Sequence, residues 1–331
     1  MSNEKLMKGE NKMKRENKMK RILLAVDGSN FALSSAAYLA DLYEGASDLE
    51  VTVLNILPPV PPLYLEEPHD PLIQKDYAIW KKEIVEEGKK HTEEAVKVLQ
   101  RGGFKKSHIQ AKYAPQSVGV ARDIIREADA GYYDACAMGK KGMGWFDDIF
   151  LGSITSKLLE ISENHPVWLV SGNEWKSRNV LVAMDHTPKA VQLARYVGEM
   201  LRGIEGVKIC LYYYCAPFAE NLTLEEREKM EEIEKRVAEN EREQMDHLFA
   251  EAQKVLEDLG FDRNAVGYEF DQGKSASTGK VSQRILKKVQ EGKHGTLVIG
   301  RKGATSAREF RLGSVALRIS TESQNCAVWV V

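Results

Sequence analysis

Arg21-Ile22-Leu23-Leu24-Ala25-Val26-Asp27-Gly28-Ser29 decides the fold, because the chain repeats it as Asn179-Val180-Leu181-Val182-Ala183-Met184-Asp185. An apolar run without polar alternation belongs to a strand covered on both faces, as in a parallel sheet. Outward from the first copy, the patterns predict a helix over 31–43, a strand over 51–57 and a proline-interrupted loop over 61–71. A helix over 76–99 follows, then a strand at 109–113, a helix at 118–128, a strand at 135–138, a helix at 154–161 and a strand at 167–170. Strands that alternate with helices make an α/β domain with a parallel sheet.

The series then starts again. After the second copy come a helix over 188–201, a strand over 208–215 and a charged helix over 223–259. Segments at 266–270, 280–289, 296–299, 315–319 and 328–331 complete a second set. The period is far longer than that of any solenoid unit, so it reads as a duplicated domain. The predicted organisation is a disordered basic tail over 1–19, one α/β domain over 20–172 and a second over 178–331. The final strands, 167–170 and 328–331, are expected to join the halves as an internal pseudo-dimer. The 223–259 helix is longer than one small domain needs, which leaves a homodimer as an open alternative.

Composition narrows the function classes. The 331 residues carry a formal charge of −2. Residues 1–21 hold eight Lys/Arg against three Glu, a net of +5, and the rest of the chain is therefore mildly acidic. Such a body argues against general DNA binding. No run approaches the roughly 20 apolar residues of a membrane span, and 1–20 lacks the apolar centre of a signal peptide. Cys136, Cys210, Cys215 and Cys326 show no paired spacing. They read as free thiols of a reducing compartment, so a cytoplasmic protein is expected. The histidines have no metal-ligand spacing.

Chemistry concentrates at glycines. Gly139-Lys140-Lys141-Gly142 ends one predicted strand, and Gly152-Ser153 opens the following helix. Gly300-Arg301-Lys302-Gly303 and Gly313-Ser314 repeat the pattern, G-x2-G-x9-G-S, at the matching place in the second half. Glycines at such a place are expected to adopt positive φ and turn successive N–H groups into an anion-binding nest. The helix start adds unpaired N–H donors and the positive end of the helix dipole. Lys140, Lys141, Arg301 and Lys302 are expected to set cations beside these loops, and each serine to cap its helix or bond a phosphate. Asp27 and Asp185, closing the first strand of each half, suit ribose hydroxyls better than phosphates. The ligand is expected beyond the carboxyl ends of the strands.

The tandem G-x2-G-x9-G-S, with Val26-Asp27-Gly28-Ser29 after the first strand, resembles the universal stress protein family over 22–170 and 179–331. The resemblance implies two Rossmann-like domains, each a five-stranded parallel sheet of order 3-2-1-4-5 flanked by helices. The implied cofactor is ATP, with Mg as a counter-ion of the nucleotide. Carried over, Asp27 and Asp185 contact the nucleoside, and Ile56 lines the adenine. Gly139, Lys141, Gly142, Gly152, Ser153 and Ile154 hold the phosphates in the first half. Gly300, Lys302, Gly303, Gly313, Ser314 and Val315 do so in the second. Tyr214 stands where the first half has Ile56, and Met184-Asp185-His186-Thr187 departs from the first copy. The function the resemblance implies is that of an ATP-binding cytoplasmic stress-response or regulatory protein, with nucleotide-dependent regulation of its conformation or partners. The alternatives are a scaffold without nucleotide and a weak ATP-hydrolysing enzyme, although no general base is identifiable.

Overall fold

The computed structural model describes residues 19–66, 70–140, 151–172, 177–216, 224–273, 278–303 and 311–331; side chains at 224–231 and 278–280 are not described. The tail over 1–18, Lys141, Gly142 and most of the junction, 173–176, lie outside these residues.

The first half runs β1 (Lys20–Ala25), α1 (Asn30–Leu42), β2 (Leu49–Leu57), α2 (Pro62–Glu66), α3 (Pro71–Arg101), β3 (Ile109–Pro115), α4 (Val120–Gly131), β4 (Ala135–Gly139), α5 (Ser153–Ile161) and β5 (Val167–Val170). The second runs β6 (Asn179–Ala183), α6 (Lys189–Leu201), β7 (Lys208–Cys215), α7 (Leu224–Asp258), β8 (Val266–Gln272), α8 (Thr278–Glu291), β9 (Thr296–Ile299), α9 (Ser314–Glu322) and β10 (Ala327–Val330).

The ten described strands form one sheet, ordered β3-β2-β1-β4-β5-β10-β9-β6-β7-β8. Each half is a parallel sheet of order 3-2-1-4-5, and the halves meet where β5 pairs antiparallel with β10. Strand residues alternate between two cores. Ile22, Leu24, Val180 and Val182 face one helix layer, whereas Leu23, Leu181, Leu169 and Val328 face the other. With both faces buried, an apolar residue is required at every strand position, which explains the unbroken runs in β1 and β6.

At the joint, Trp168 lies opposite Trp329, fully buried, with ring centroids 3.8 Å apart and planes 1° from parallel. The Trp329 Nε1–H donates to the Tyr38 hydroxyl at 2.9 Å, and the Trp168 Nε1–H donates to the Tyr196 hydroxyl at 3.1 Å. Each indole is thus held by a phenol from the other half, because a buried N–H must find an acceptor.

One predicted loop is corrected. Residues 61–71 contain the short helix α2, and α3 begins at Pro71 rather than near 76. Asp70 caps α3 by accepting from Leu72 N and Ile73 N, and Pro71 suits the first helical turn, where an N–H has no intrahelical acceptor. Tyr64 of α2 packs on Tyr77 and Trp80, which anchors the short helix. The long helix α7 covers its own sheet through Met245, Phe249, Ala252 and Leu256, while Ile233 near its start is half exposed.

Candidate functional site

The glycine pairs of the second half come together in space. Gly300 follows β9 directly, and Gly313 is the N-cap of α9. The Gly313 N–H donates to the Arg301 carbonyl at 2.7 Å. A Cβ on Gly313 would stand 3.3 Å from that oxygen and 3.6 Å from Gly303 N, so the strand-end loop folds onto the helix start. Among the described residues no side chain caps α9. Ser314 is its exposed first residue, and Val315 packs partly against the core. The first half matches this at the helix: Gly152 is the N-cap of α5 without a side-chain cap, followed by exposed Ser153 and Ile154. By contrast, Ser29 caps α1 and Asp70 caps α3. Among the described residues, neither start has a side-chain acceptor for its first-turn N–H groups.

The expected positive φ is not found at these glycines. Gly139, Gly152, Gly300, Gly303 and Gly313 are all outside the left-handed region. Close approach requires at least one of them instead. A Cβ on Gly139 would fall 2.2 Å from the Phe31 carbonyl, where β4 ends against α1. Gly28, after Asp27, does take a left-handed φ of 79°.

Asp27 and Asp185 stand at the ends of β1 and β6. Asp27 Oδ1 accepts from Ser29 N at 3.0 Å. Asp185 Oδ1 accepts from Thr187 N at 3.0 Å and from the Thr187 hydroxyl at 2.6 Å. In each carboxylate one oxygen is fixed by the following turn, and Oδ2 accepts no hydrogen bond among the described residues. The ends of β1 and β4, and of β6 and β9, adjoin in the sheet. At these pairs the strand order reverses, which puts the carboxylate and the glycine-started helix at the same edge of the sheet in each half.

Lys140 and Arg301 correct the expected ring of cations. Lys140 is buried, and its Nζ donates to the Ser323 carbonyl at 2.8 Å and to the Ser323 hydroxyl at 3.0 Å. Arg301 donates to the Leu159 carbonyl at 2.6 Å and to the Ser162 hydroxyl. Both cations reach into the opposite half, away from their own loop. Burial brings the Lys140 pKa down to about 8, against partial compensation from Cys326 and Glu322. Lys302 remains half-buried in its own loop.

The second strand differs between the halves. Ile56 is half-buried and packs against the core beside α4. Tyr214, its counterpart, lies across Gly273, where an added Cβ would meet the phenol oxygen at 1.8 Å. Its neighbour Tyr213 donates to Glu241 Oε2 at 2.8 Å and has His186 Nδ1 at 3.4 Å.

His91 of α3 also comes to the end of β1. Its imidazole lies over Gly28, where a Cβ would sit 2.3 Å from the ring. In the second half the sequence position of Gly28 is itself taken by an imidazole, that of His186. Nothing local marks His91, which is remote from Gly28 along the chain and comes over it from α3. Among the described residues, no group of three or more His, Cys, Asp or Glu is placed to hold a metal ion. No described helix is long and apolar enough to cross a membrane.

The family model described as Universal stress protein family matches residues 18–171 and again 176–331. Among solved structures, a universal stress protein from Archaeoglobus fulgidus DSM 4304 aligns with a TM-score of 0.61 at 21% identity, covering 94% of this chain and 97% of that one. A functionally unknown protein from Pseudomonas aeruginosa PAO1 aligns at 0.57 and 15% identity, covering 95% of this chain and 92% of that one. A putative universal stress protein from Pseudomonas aeruginosa UCBPP-PA14 aligns at 0.54 and 15% identity, covering 95% and 93%. No curated protein sequence matches this chain.

Proposed function

The chain belongs to the universal stress protein family, in two tandem copies, and from that premise we propose that each half binds an adenine nucleotide, ATP foremost, as a regulatory ligand. The observation that carries this reading is the pair of glycine-started helices α5 and α9, each at the sheet edge where an aspartate ends the neighbouring first strand. Phosphates are assigned to the N–H groups and hydroxyls at 152–154 and 313–315, with Lys302 nearby and Lys141 in the matching place by sequence. The second oxygen of Asp27 and of Asp185 is assigned to ribose hydroxyls, and Ile56 or Tyr214 to the base. Mg accompanies the phosphates as a counter-ion. No residue is assigned to hydrolysis. Unbridged Cys136, Cys210, Cys215 and Cys326 support a cytoplasmic setting.

Binding stabilises the ligand-competent conformation by RT ln(1 + [L]/Kd), about 2.7 kcal/mol at a hundredfold excess over Kd. Calorimetric titration with ATP tests the reading: two equivalents are expected for the native chain. Ser153→Asp and Ser314→Asp place an anion where a phosphate is assigned, and each is expected to weaken one site about 100-fold, since like charges in contact cost several kcal/mol. An acidic residue in the first turn favours the helix itself, so folding is retained. A native chain that takes up no ATP at millimolar concentration refutes the proposal.

A further inference from the structure

The two cations that leave their own loops converge on the other half's phosphate-assigned helix. Ser323, which receives Lys140, is the C-cap of α9; Ser162, which receives Arg301, is the C-cap of α5. Lys140 follows β4 in the loop assigned to the first site, yet it holds the tail of the helix whose head is assigned to the second. Arg301 does the reverse. The arrangement repeats with the pseudo-two-fold of the sheet: Lys140 N donates to Val170 O and Arg301 N to Val331 O, each at 2.8 Å.

We propose that Lys140 and Arg301 are reciprocal struts that couple the two sites, so that occupancy of one raises the affinity of the other. This rests on the nucleotide reading above and deepens it. The physical basis is the nine-residue length of α5 and of α9. A helix so short is a rigid rod, roughly 13 Å at 1.5 Å per residue. An anion at its head and a cation at its tail both favour its dipole and its position. When a phosphate settles at the head of α5, it fixes the neighbouring strand end that carries Lys140, and through Lys140 it steadies the rod that receives the second ligand. The second site then binds with less ordering left to do, which is positive coupling. The fully stacked Trp168–Trp329 joint gives the struts a stiff base. Coupling is reciprocal by thermodynamic necessity, so either site serves as first.

The test is calorimetric titration of the full chain with the non-hydrolysable analogue AMP-PNP. The native chain is expected to bind its second equivalent about five- to tenfold more tightly than independence allows, within the usual range of coupling. Lys140→Met and Arg301→Met, which keep the apolar stem and remove the donors, are expected to bind two equivalents without coupling. Because a buried contact is lost, each variant is first checked for a native circular dichroism spectrum. A second measurement needs neither variant: in Ser314→Asp, with only the first site open, AMP-PNP is expected to slow amide hydrogen exchange within 317–322 of the opposite half. Independent sites in the native chain, coupling that survives both Met variants, or unchanged exchange at 317–322 overturns the strut proposal alone. Absence of any binding overturns it together with the nucleotide reading.

Discussion

Replacing Trp329 with alanine tests whether one continuous core joins the halves. Both indoles of the Trp168–Trp329 pair are fully buried, so either truncation opens a cavity that the strands and the second ring border. Truncating a buried Trp costs about 3–5 kcal/mol, and the parallel stack places this pair toward the upper end. The loss of the Nε1–H bond adds little, because the Tyr38 hydroxyl keeps Thr296 Oγ1 at 2.7 Å. The expected destabilisation is therefore about 4–5 kcal/mol for Trp329→Ala. Trp168→Ala should behave alike, since Tyr196 keeps the Asp134 carbonyl at 3.2 Å. The two cavities would share a wall, so the double variant should lose about 1–2 kcal/mol less than the sum of the single losses. Urea unfolding followed by circular dichroism measures all three. Single losses that simply add, as those of distant independent sites do, would refute the shared-core account. So would a Trp329→Ala variant about as stable as the native chain.

Two further outcomes follow from the geometry. Gly139→Ala drives a Cβ into the Phe31 backbone and should destabilise by about 1–3 kcal/mol, whereas Gly303→Ala, with open space among the described residues around the added carbon, should stay within about 0.5 kcal/mol; urea midpoints compare them. His294, 7% exposed just beyond α8, has its pKa lowered chiefly by burial, below its ordinary 6.5. The unfolded chain then binds the proton more readily, so this contribution is complete above pH 6.5 and is lost as pH falls toward the folded value. Stability measured from pH 7.5 to 5 should decline, and His294→Gln should flatten that part of the profile.

The sheet was legible because fully buried strands leave an unmistakable apolar run. Ile22–Val26 and Val180–Met184 identify themselves, and the repeat reveals two halves before any contact is known. The start of α3 was less legible: Pro71 reads as an interruption until Asp70 is seen capping the helix behind it. At the site, the two glycine patterns mark the helix starts at Gly152 and Gly313, but the need for glycine at Gly139 is not the positive φ that the pattern predicts. The need there is room for the Phe31 carbonyl, a neighbour remote along the chain.

Local chemistry, then, was enough to establish which residues form strands, where helices begin on glycine, and that the domain is duplicated. Those properties depend on burial periodicity and on backbone groups within a short stretch of chain. Tertiary structure alone decided where long side chains go. Lys140 and Arg301 sit in phosphate-like loops yet span the joint to Ser323 and Ser162, and His91 arrives over Gly28 from a distant helix. A flexible side chain bonds whatever acceptor the folded chain brings within its reach, and that acceptor is set by packing between segments far apart in sequence.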